Sequence, residues 1–483
     1  MNLGQQKLSI GEKIGYSLGD AASNIFFQTF ILFVPFFYTD VFGLSPASVS
    51  LMFLITKIWD AVNDPMMGII SDRTKTRWGK FRPYILWFAI PFGIMGVLTF
   101  TTPNISTTGR LIYAYITYTL LMMLYTVVNV PYSALMGVMT PNSEERTVLS
   151  QFRFIAAFIA TTFVQLATVW LVIKIGGSKT NPFGWQWVMG ILSTLAVILL
   201  FITFATTKER VHPPKGQKTP LKQDIKDLFT NLPWVLIGFA SVFQLIYIVI
   251  RGGAIMYYFD YFVKMEDVKL PLLGDYPMVS IFMVTGTVFT ILGVVLTSFL
   301  SRIFGKAPTY AGFLGIAGLT TGLFYFLKPS NIGLMFVLQI ITSFSVGPVS
   351  VLQWAIYTDV ADYSEWKKGR RATGLVMSAG LFALKLGIAL GVSAQQWILS
   401  IYGYEANVEQ TESGLMGVRM IMSVYPAIFA FAGMIFMIFY PLGKKDMEQI
   451  EVDLVERRRQ RGELEPEVVS EEDVNRGNIE GGK

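Results

Sequence analysis

Long apolar runs constrain this chain more than any other feature of its sequence. A helix needs roughly 20 apolar residues to cross the hydrocarbon core of a bilayer. Runs of that length predict membrane-spanning helices near residues 14–38, 46–71, 84–102, 110–138, 150–175, 184–206, 233–263, 277–300, 309–327, 331–358, 373–402 and 416–440. The sequence therefore predicts an all-α membrane protein with twelve spans in two sets of six.

The composition excludes several classes of protein. Only 15% of the 483 residues are charged and 53% are hydrophobic, whereas about 25% of a soluble chain is charged. This balance excludes an ordinary cytosolic enzyme, a disordered protein and a nucleic-acid-binding domain. The chain has no cysteine and one histidine, His212, so it offers no thiolate metal site and little basis for histidine chemistry. We expect a protein that is not an enzyme and holds no resident cofactor.

The lysines and arginines predict the orientation, because the cytoplasmic loops of membrane proteins are enriched in them. Basic residues crowd the connections after the second, sixth and tenth spans, whereas the first loop on the other side has none. Both chain termini are therefore predicted to be cytoplasmic.

The polar interruptions predict the domain organisation. Residues 207–231 read as a cytoplasmic linker between an N-terminal six-helix bundle (1–206) and a C-terminal one (232–442). Similar loops recur at matching positions of the two halves, which is typical of transporters that hold their substrate at mid-membrane between two repeats. Residues 443–483 predict a charged cytoplasmic tail that begins with a short amphipathic helix.

Two carboxylates lie inside the second span. Asp60 and Asp64 are four residues apart and share one helix face. An ionisable group at the bilayer centre costs at least about 2.5–3.5 kcal/mol, and neighbouring carboxylates also repel each other. A bound Na⁺ or a shared proton relieves that repulsion, and Asn63 adds an oxygen ligand. The pattern predicts a coupling-ion site, and a structural ion-pair network with Lys57 is the alternative.

Lys385 lies deep inside the eleventh span, where a lysine must face water or an acid. The aspartates of the second span are its predicted partners across the two halves. We assign coupling roles to Lys385 and Lys57, whose contacts with the carboxylates would form and break as the halves move.

Other polar and aromatic residues inside the spans are weaker candidates. An aromatic face beside paired hydrogen-bonding groups is how proteins bind a sugar, whereas a lone polar residue more often bonds a neighbouring helix. Arg153, one turn into its span, could equally extend to the interface. The predicted substrate-binding residues are Asp20, Asn24, Tyr125, Asn129, Arg153, Arg251, Trp354 and Lys385.

Two segments carry a resemblance to a known family. Ile58–Pro65 and the following Arg77–Pro83 resemble the glycoside–pentoside–hexuronide:cation symporters, which include the melibiose permeases and have the major facilitator fold. The likeness extends over essentially all twelve spans. It includes Gly15–Asp20, Tyr257–Phe259 and Asp359–Tyr363.

The resemblance implies roles for individual residues. The family's cation site maps onto Asp60, Asn63, Asp64 and Thr126, with Lys385 adjacent, which implies coupling to Na⁺, H⁺ or Li⁺. Asp60 and Asp64 would be the metal ligands if the ion is Na⁺.

The same resemblance also has departures. Asn24 and Asn129 stand where melibiose permeases have acidic residues, and Ser133 stands where they have the aromatic residue that stacks on the sugar. Tyr125 and Arg153 remain. Arg251 resembles an arginine of non-melibiose members and could pair with a carboxylate or sulfonate. The sugar therefore stays open among glycosides, pentosides and hexuronides.

The sequence thus predicts a secondary active transporter that couples a cation to a sugar by alternating access. Its expected partners are a small sugar, a monovalent cation and the lipid bilayer of the inner membrane, with no nucleic acid, and we expect a monomer. A lysophospholipid carrier of the same fold and a sugar sensor that does not transport are the alternatives.

Overall fold

A computed structural model of the protein describes residues 8–140, 143–210, 230–264, 267–270, 274–368 and 373–460. Most of the predicted linker, with His212, and the tail beyond residue 460 lie outside the described residues. The side chain of Lys57 also lies outside them, so its predicted coupling role stays a prediction.

In the described part of the chain, six helices form the N-terminal set. Four of them begin at a capping signal that the sequence carries: Ser9 and Glu12 form a capping box at the first, and Ser45, Ser106 and Asn181 cap three others with their side chains. The helices are α1 (Ile10–Leu32), α2 (Pro46–Arg73), α3 (Arg82–Thr99), α4 (Thr107–Met139), α5 (Ser143–Gly176) and α6 (Pro182–Thr206). Beyond Leu32, α1 bends by 51° and continues as Val34–Val41, which ends in a π-helical turn.

The C-terminal set contains the remaining spans. Its first helix ends in a π-helical turn, Tyr258–Val263, and its last is interrupted at Ser423. The helices are α7 (Leu232–Tyr257), α8 (Met278–Phe304), α9 (Lys306–Leu323), α10 (Ile332–Lys368), α11 (Thr373–Ile401) and α12 (Glu412–Met422 with Val424–Ile438).

These helices match the twelve predicted spans. In the described part of the chain, ten helices are long and apolar enough to cross a membrane, and α1 with its bent continuation makes eleven. The exception is α2, in which only Pro46–Thr56 forms an apolar segment. The rest of this helix carries Asp60 and Asp64, the residues that predict an ion site.

Within each set the helices pack on their sequence neighbours and on one another. In the N-terminal set α1 packs against α5 and α6, and α3 against α4 and α6. In the C-terminal set α7 packs against α11 and α12, and α10 against α8 and α9. The two sets meet along α2 with α11 and along α5 with α8. If the halves are repeats, α2 corresponds to α8 and α5 corresponds to α11. The two contacts are then equivalent, so the packing agrees with the predicted repeat.

An antiparallel hairpin lies outside the spans and joins α7 to α8. Its strands are β1 (Asp267–Leu270) and β2 (Gly274–Pro277). The sequence analysis did not predict it, because short polar strands leave no apolar signal.

Residues Lys444–Gln460 form the helix α13, which confirms the predicted helix at the start of the tail. Ile450 and Leu454 of this helix are buried. The Trp366 indole at the end of α10 donates a 2.8 Å hydrogen bond to Asp453. The tail helix is thereby fixed to the C-terminal set. We call the opposite side of the membrane, away from α13 and the first turn of α1, the outer side.

Candidate cation and sugar site

The predicted ion-site residues meet where α2, α4 and α11 converge. Asp60 and Asp64 project from one face of α2, as their spacing predicts, and Thr126 faces them from α4. The Thr126 hydroxyl lies 3.2 Å from Oδ1 of Asp60 and 2.9 Å from Oδ1 of Asp64. One hydroxyl has a single proton, so it donates to one carboxylate at a time and holds both within reach of one small ion.

Lys385 of α11 reaches the same place from the other set of helices. Its Nζ forms an ion pair with Oδ2 of Asp64. The predicted contact between the second and eleventh spans is therefore present. Because the two ends of the pair belong to different sets, relative movement of the sets changes its length directly.

Charges of both signs meet at the site. Two carboxylates and one ammonium group give the trio of Asp60, Asp64 and Lys385 a net charge of −1 when all three are ionised. Asp60 is only 4% exposed, and the buried Asn63 amide nitrogen has no hydrogen-bond partner among the described residues. A monovalent cation held by these oxygens would balance the charge. The described residues contain no cluster of three or more acidic or histidine side chains that could hold a metal, so any Na⁺ would rely on hydroxyl and amide oxygens as well.

A cavity of about 130 Å³ adjoins the site. Both sets contribute to its wall, which includes Asp60, Tyr125 and Lys385 beside apolar and aromatic side chains. Tyr125 lies with its ring centroid 6.4 Å from those of Phe27 and Phe30. This cavity, which we call the central cavity, has the mixture of aromatic and polar groups that sugar sites use.

A second predicted group gathers around Asp20. The Arg153 guanidinium of α5 forms a 2.7 Å ion pair with Asp20 of α1, and the Asn24 amide donates to the same carboxylate at 3.3 Å. The guanidinium also lies 5.3 Å from the ring centroid of Tyr132. Arg153 therefore bonds an acid inside the bundle and does not extend to the interface.

Two predicted substrate residues are placed differently. The Asn129 amide donates to the carbonyl of Tyr125 on its own helix at 3.1 Å. Trp354 is 36% exposed, and its ring packs edge-on against Tyr357 with centroids 5.7 Å apart. The described contacts do not bring Trp354 to the other predicted site residues.

Arg251 of α7 is buried apart from the cation site. Its Nη2 donates a 2.6 Å hydrogen bond to Oε1 of Gln339 on α10. Gln339 was not singled out by the sequence analysis, because a lone glutamine in a span is more often a packing residue.

The sequence analysis also missed a group at the outer ends of the helices. The carboxylate of Asp40 accepts hydrogen bonds from Tyr261 and, at 2.6 Å, from Tyr404, and Asn407 donates to the Asp40 carbonyl at 2.5 Å. Burial, and then the charge of Asp40, raises the pKa of Tyr404 well above its usual value. Its hydroxyl therefore stays protonated as a donor. The sequence did carry a signal for this group: an acid at the end of one apolar span and tyrosines at the ends of two others.

Asp260, in the π-helical turn at the end of α7, has a partner as well. It forms an ion pair with Lys179, which lies in the connection between α5 and α6. This contact also joins the two sets of helices at the outer side.

Known proteins resemble the chain along almost its whole length. The family described as MFS/sugar transport protein matches residues 15–444. The chain belongs to this family. It is therefore a multi-pass transporter of the major facilitator superfamily and not an enzyme, and it acts on a small molecule.

Individual members of the family are similar to the chain at about one third identity. The inner membrane symporter YicJ of Escherichia coli (strain K12) is 36% identical over 94% of this chain and 96% of its own. The isoprimeverose transporter of Lactiplantibacillus pentosus is 35% identical over 94% of this chain and 93% of its own. The glucuronide carrier protein homolog of E. coli K12 is 31% identical over 95% of this chain and 98% of its own.

These relatives confirm the resemblance to the glycoside–pentoside–hexuronide:cation symporters and the location in the inner membrane. Solved structures agree on the fold. A bacterial homologue of the human lysosomal transporter Spinster has a TM-score of 0.62 at 15% identity, covering 90% of this chain and 98% of its own.

Proposed function

We propose that this family member is a symporter that couples the entry of a sugar to that of a monovalent cation, Na⁺ or H⁺, by alternating access. The observation that carries the proposal is the ion pair between Lys385 and Asp64 within the cluster of Asp60, Asp64 and Thr126. It places a charged contact between the two sets of helices at the predicted ion site.

The chemistry of coupling follows from competition for Asp64. A cation that binds between Asp60 and Asp64 takes over the role of the Lys385 ammonium, so the contact between α2 and α11 loosens. Sugar that binds in the adjoining cavity stabilises the rearranged state. Linkage is reciprocal, so the sugar must tighten the binding of the cation by the same factor. The mechanism needs the co-transported ion and no resident cofactor. A monomer is sufficient for transport.

The transported molecule belongs to the glycosides, pentosides or hexuronides. Among the relatives, one is named a transporter of the neutral sugar isoprimeverose and another a homolog of a carrier of glucuronide, an acidic sugar. The Asp20–Arg153 pair, Asn24 and Tyr125 are the side chains that we assign to its hydroxyls.

Uptake into proteoliposomes tests the proposal. Labelled isoprimeverose, methyl β-D-xyloside and methyl β-D-glucuronide are offered under a tenfold inward Na⁺ gradient and, separately, a tenfold inward proton gradient with the membrane potential clamped at zero. One-to-one coupling to such a gradient supports up to about tenfold accumulation. We expect Asp60→Asn to abolish accumulation, since it removes one of the two carboxylates.

Asp275→Asn is the matched control, because Asp275 is exposed in the outer hairpin. It should accumulate sugar as the unmodified protein does. Gradient-driven accumulation that survives in Asp60→Asn, or uptake of all three sugars that neither gradient drives, overturns the proposal.

A further inference from the structure

A buried arginine lies away from the cation site and has no acidic partner among the described residues. Arg251, in the outer part of α7, is only 7% exposed. Among the described residues no carboxylate lies within ion-pair distance of its guanidinium. Removing a charge from water without compensation costs several kcal/mol, and an ionisable residue in a span points to a function and to a missing partner.

The hydrogen bonds of Arg251 leave part of the guanidinium unused. Nη2 donates to Gln339 at 2.6 Å, whereas the buried Nε has no partner among the described residues. The group also lies 5.4 Å from the ring centroid of Phe324. Gln339 is itself held by its 3.3 Å bond to the Phe282 carbonyl. The guanidinium is thus fixed in orientation and keeps a free donor.

Arg251 lines a cavity of about 150 Å³. That volume is many times what a single water needs. Its wall combines amides and hydroxyls from three helices, including Gln165, Thr287, Gln339 and Ser343. The Thr287 hydroxyl donates to Gln165 at 2.7 Å across the boundary between α8 and α5. The cavity therefore lies between the two sets, like the central cavity.

Adjacent residues of α1 line the two cavities. Ile31 lines the central cavity and the following residue, Leu32, lines the Arg251 cavity, at the point where that helix bends.

We propose that the Arg251 cavity binds the acidic group of the transported molecule, so that the substrate is a sugar bearing a carboxylate or a sulfonate. The inference rests on the proposed function and narrows its substrate. An oxyanion in the cavity accepts from the planar guanidinium, whose N–H groups are spaced for two parallel hydrogen bonds. Gln165 and Ser343 then serve hydroxyls of the ring, and the anion supplies the missing counter-charge.

Thermal stabilisation of the purified protein by matched sugars tests the inference. The probes are methyl β-D-glucoside, methyl β-D-glucuronide and the methyl glycoside of sulfoquinovose, which differ at C6 in carrying a hydroxyl, a carboxylate or a sulfonate. Each is titrated in NaCl and in choline chloride. We expect at least one acidic sugar to bind about 30-fold more tightly than the glucoside, since the neutral sugar leaves the buried guanidinium unpaired.

Substitution of the arginine assigns the preference to this cavity. Arg251→Met should remove the preference for the acidic sugar, and Arg251→Lys should restore part of it, because it keeps the charge and loses the planar fork. Arg302→Met is the matched control, since Arg302 is exposed at the end of α8. If Arg251→Met does not fold, the comparison of the three sugars on the unmodified protein still decides whether the protein prefers an acidic sugar.

The possible outcomes separate this inference from the proposed symport. Equal binding of the glucoside and both acidic sugars, or no binding of either acidic sugar, overturns the inference. A preference that survives in Arg251→Met overturns it as well. Ion-driven accumulation of a neutral sugar without any such preference overturns the inference alone and leaves symport standing.

Discussion

At the scale of single residues, two carboxylates inside the spans are each paired with a cation from another helix. Asp64 forms an ion pair with Lys385, and Asp20 forms one with Arg153. Breaking a buried pair leaves one charge uncompensated, which costs more than the pair contributes. The side chains of Asp64 and Lys385 are 24% and 33% exposed. The cost of breaking their pair therefore falls between that of a buried pair and the 0–1 kcal/mol typical of a surface pair.

Lys385→Met should change how strongly the protein depends on its ion. Without the ammonium group the net charge of the cluster falls from −1 to −2, so a cation binds more strongly. In choline chloride at neutral pH we expect a loss of about 2 kcal/mol of stability. NaCl or lower pH should restore more of it than in the unmodified protein. The measurement is the melting temperature in each salt across the pH range.

Lys328→Met provides the comparison, since Lys328 is exposed in the connection after α9. It should leave the salt dependence unchanged. A Lys385→Met protein whose melting temperature responds to Na⁺ and pH no more than the unmodified protein contradicts the competition between lysine and cation.

At the scale of elements, glycines set how closely the helices approach. Gly293 of α8 and Gly347 of α10 face each other. A Cβ on Gly347 would lie 2.4 Å from the carbonyl oxygen of Thr290 and 2.7 Å from the nitrogen of Val294. These neighbours are backbone atoms and cannot move aside cheaply. Small residues that let two backbones touch are a common basis of helix association in membranes.

Gly347→Ala should therefore destabilise the C-terminal set. Inserting a methyl group into a full contact costs typically 1–3 kcal/mol, and we expect about 2 kcal/mol here, seen as a lower melting temperature in detergent. The control is Gly312→Ala in α9, where the space is open. Since alanine favours a helix over glycine by roughly 0.5–1 kcal/mol, the control should be neutral or slightly stabilised. Equal effects of both substitutions would exclude close packing as the cause.

At the scale of the whole molecule, contacts between the two sets close the outer side. Asp40 at the end of α1 is bound by Tyr261 and Tyr404 of the other set. The Lys179–Asp260 pair joins the sets at a second place. Both lie at helix ends, beyond the central cavity. The conformation described here therefore separates that cavity from the outer side, and opening to the outside requires these contacts to break.

Asp40→Asn should favour the state that is open to the outer side. The amide loses the negative charge that strengthens both tyrosine hydrogen bonds. The chain contains no cysteine, so Ile388→Cys in the wall of the central cavity is a clean reporter. We expect a membrane-impermeant thiol reagent added outside to label it about tenfold faster in the Asp40→Asn background, which corresponds to a shift of about 1.4 kcal/mol.

The Asp275→Asn background controls for loss of an outer carboxylate. Labelling there should match that of Ile388→Cys alone. Equal labelling rates in the Asp40→Asn and Asp275→Asn backgrounds would show that Asp40 does not hold the outer side closed.

Local sequence patterns were enough to predict the class of protein, the spans and the candidate ion-site residues. These follow from local rules: a minimum apolar length for a span, and the four-residue spacing that aligns Asp60 and Asp64. The sequence also predicted that Lys385 meets these acids, because a lysine that deep needs a partner. The motif in α2 indicated the family, and the match to the family of sugar transport proteins confirmed it.

Only the tertiary structure decided which distant residues meet. Thr126 lies between two carboxylates, Asp260 finds Lys179 and Asp40 finds two tyrosines, each across a long stretch of chain. Trp354, by contrast, is not brought to the other predicted site residues. Spacing along one helix fixes the face on which a side chain lies. The neighbour at that face is set by how twelve helices pack, which no local pattern encodes.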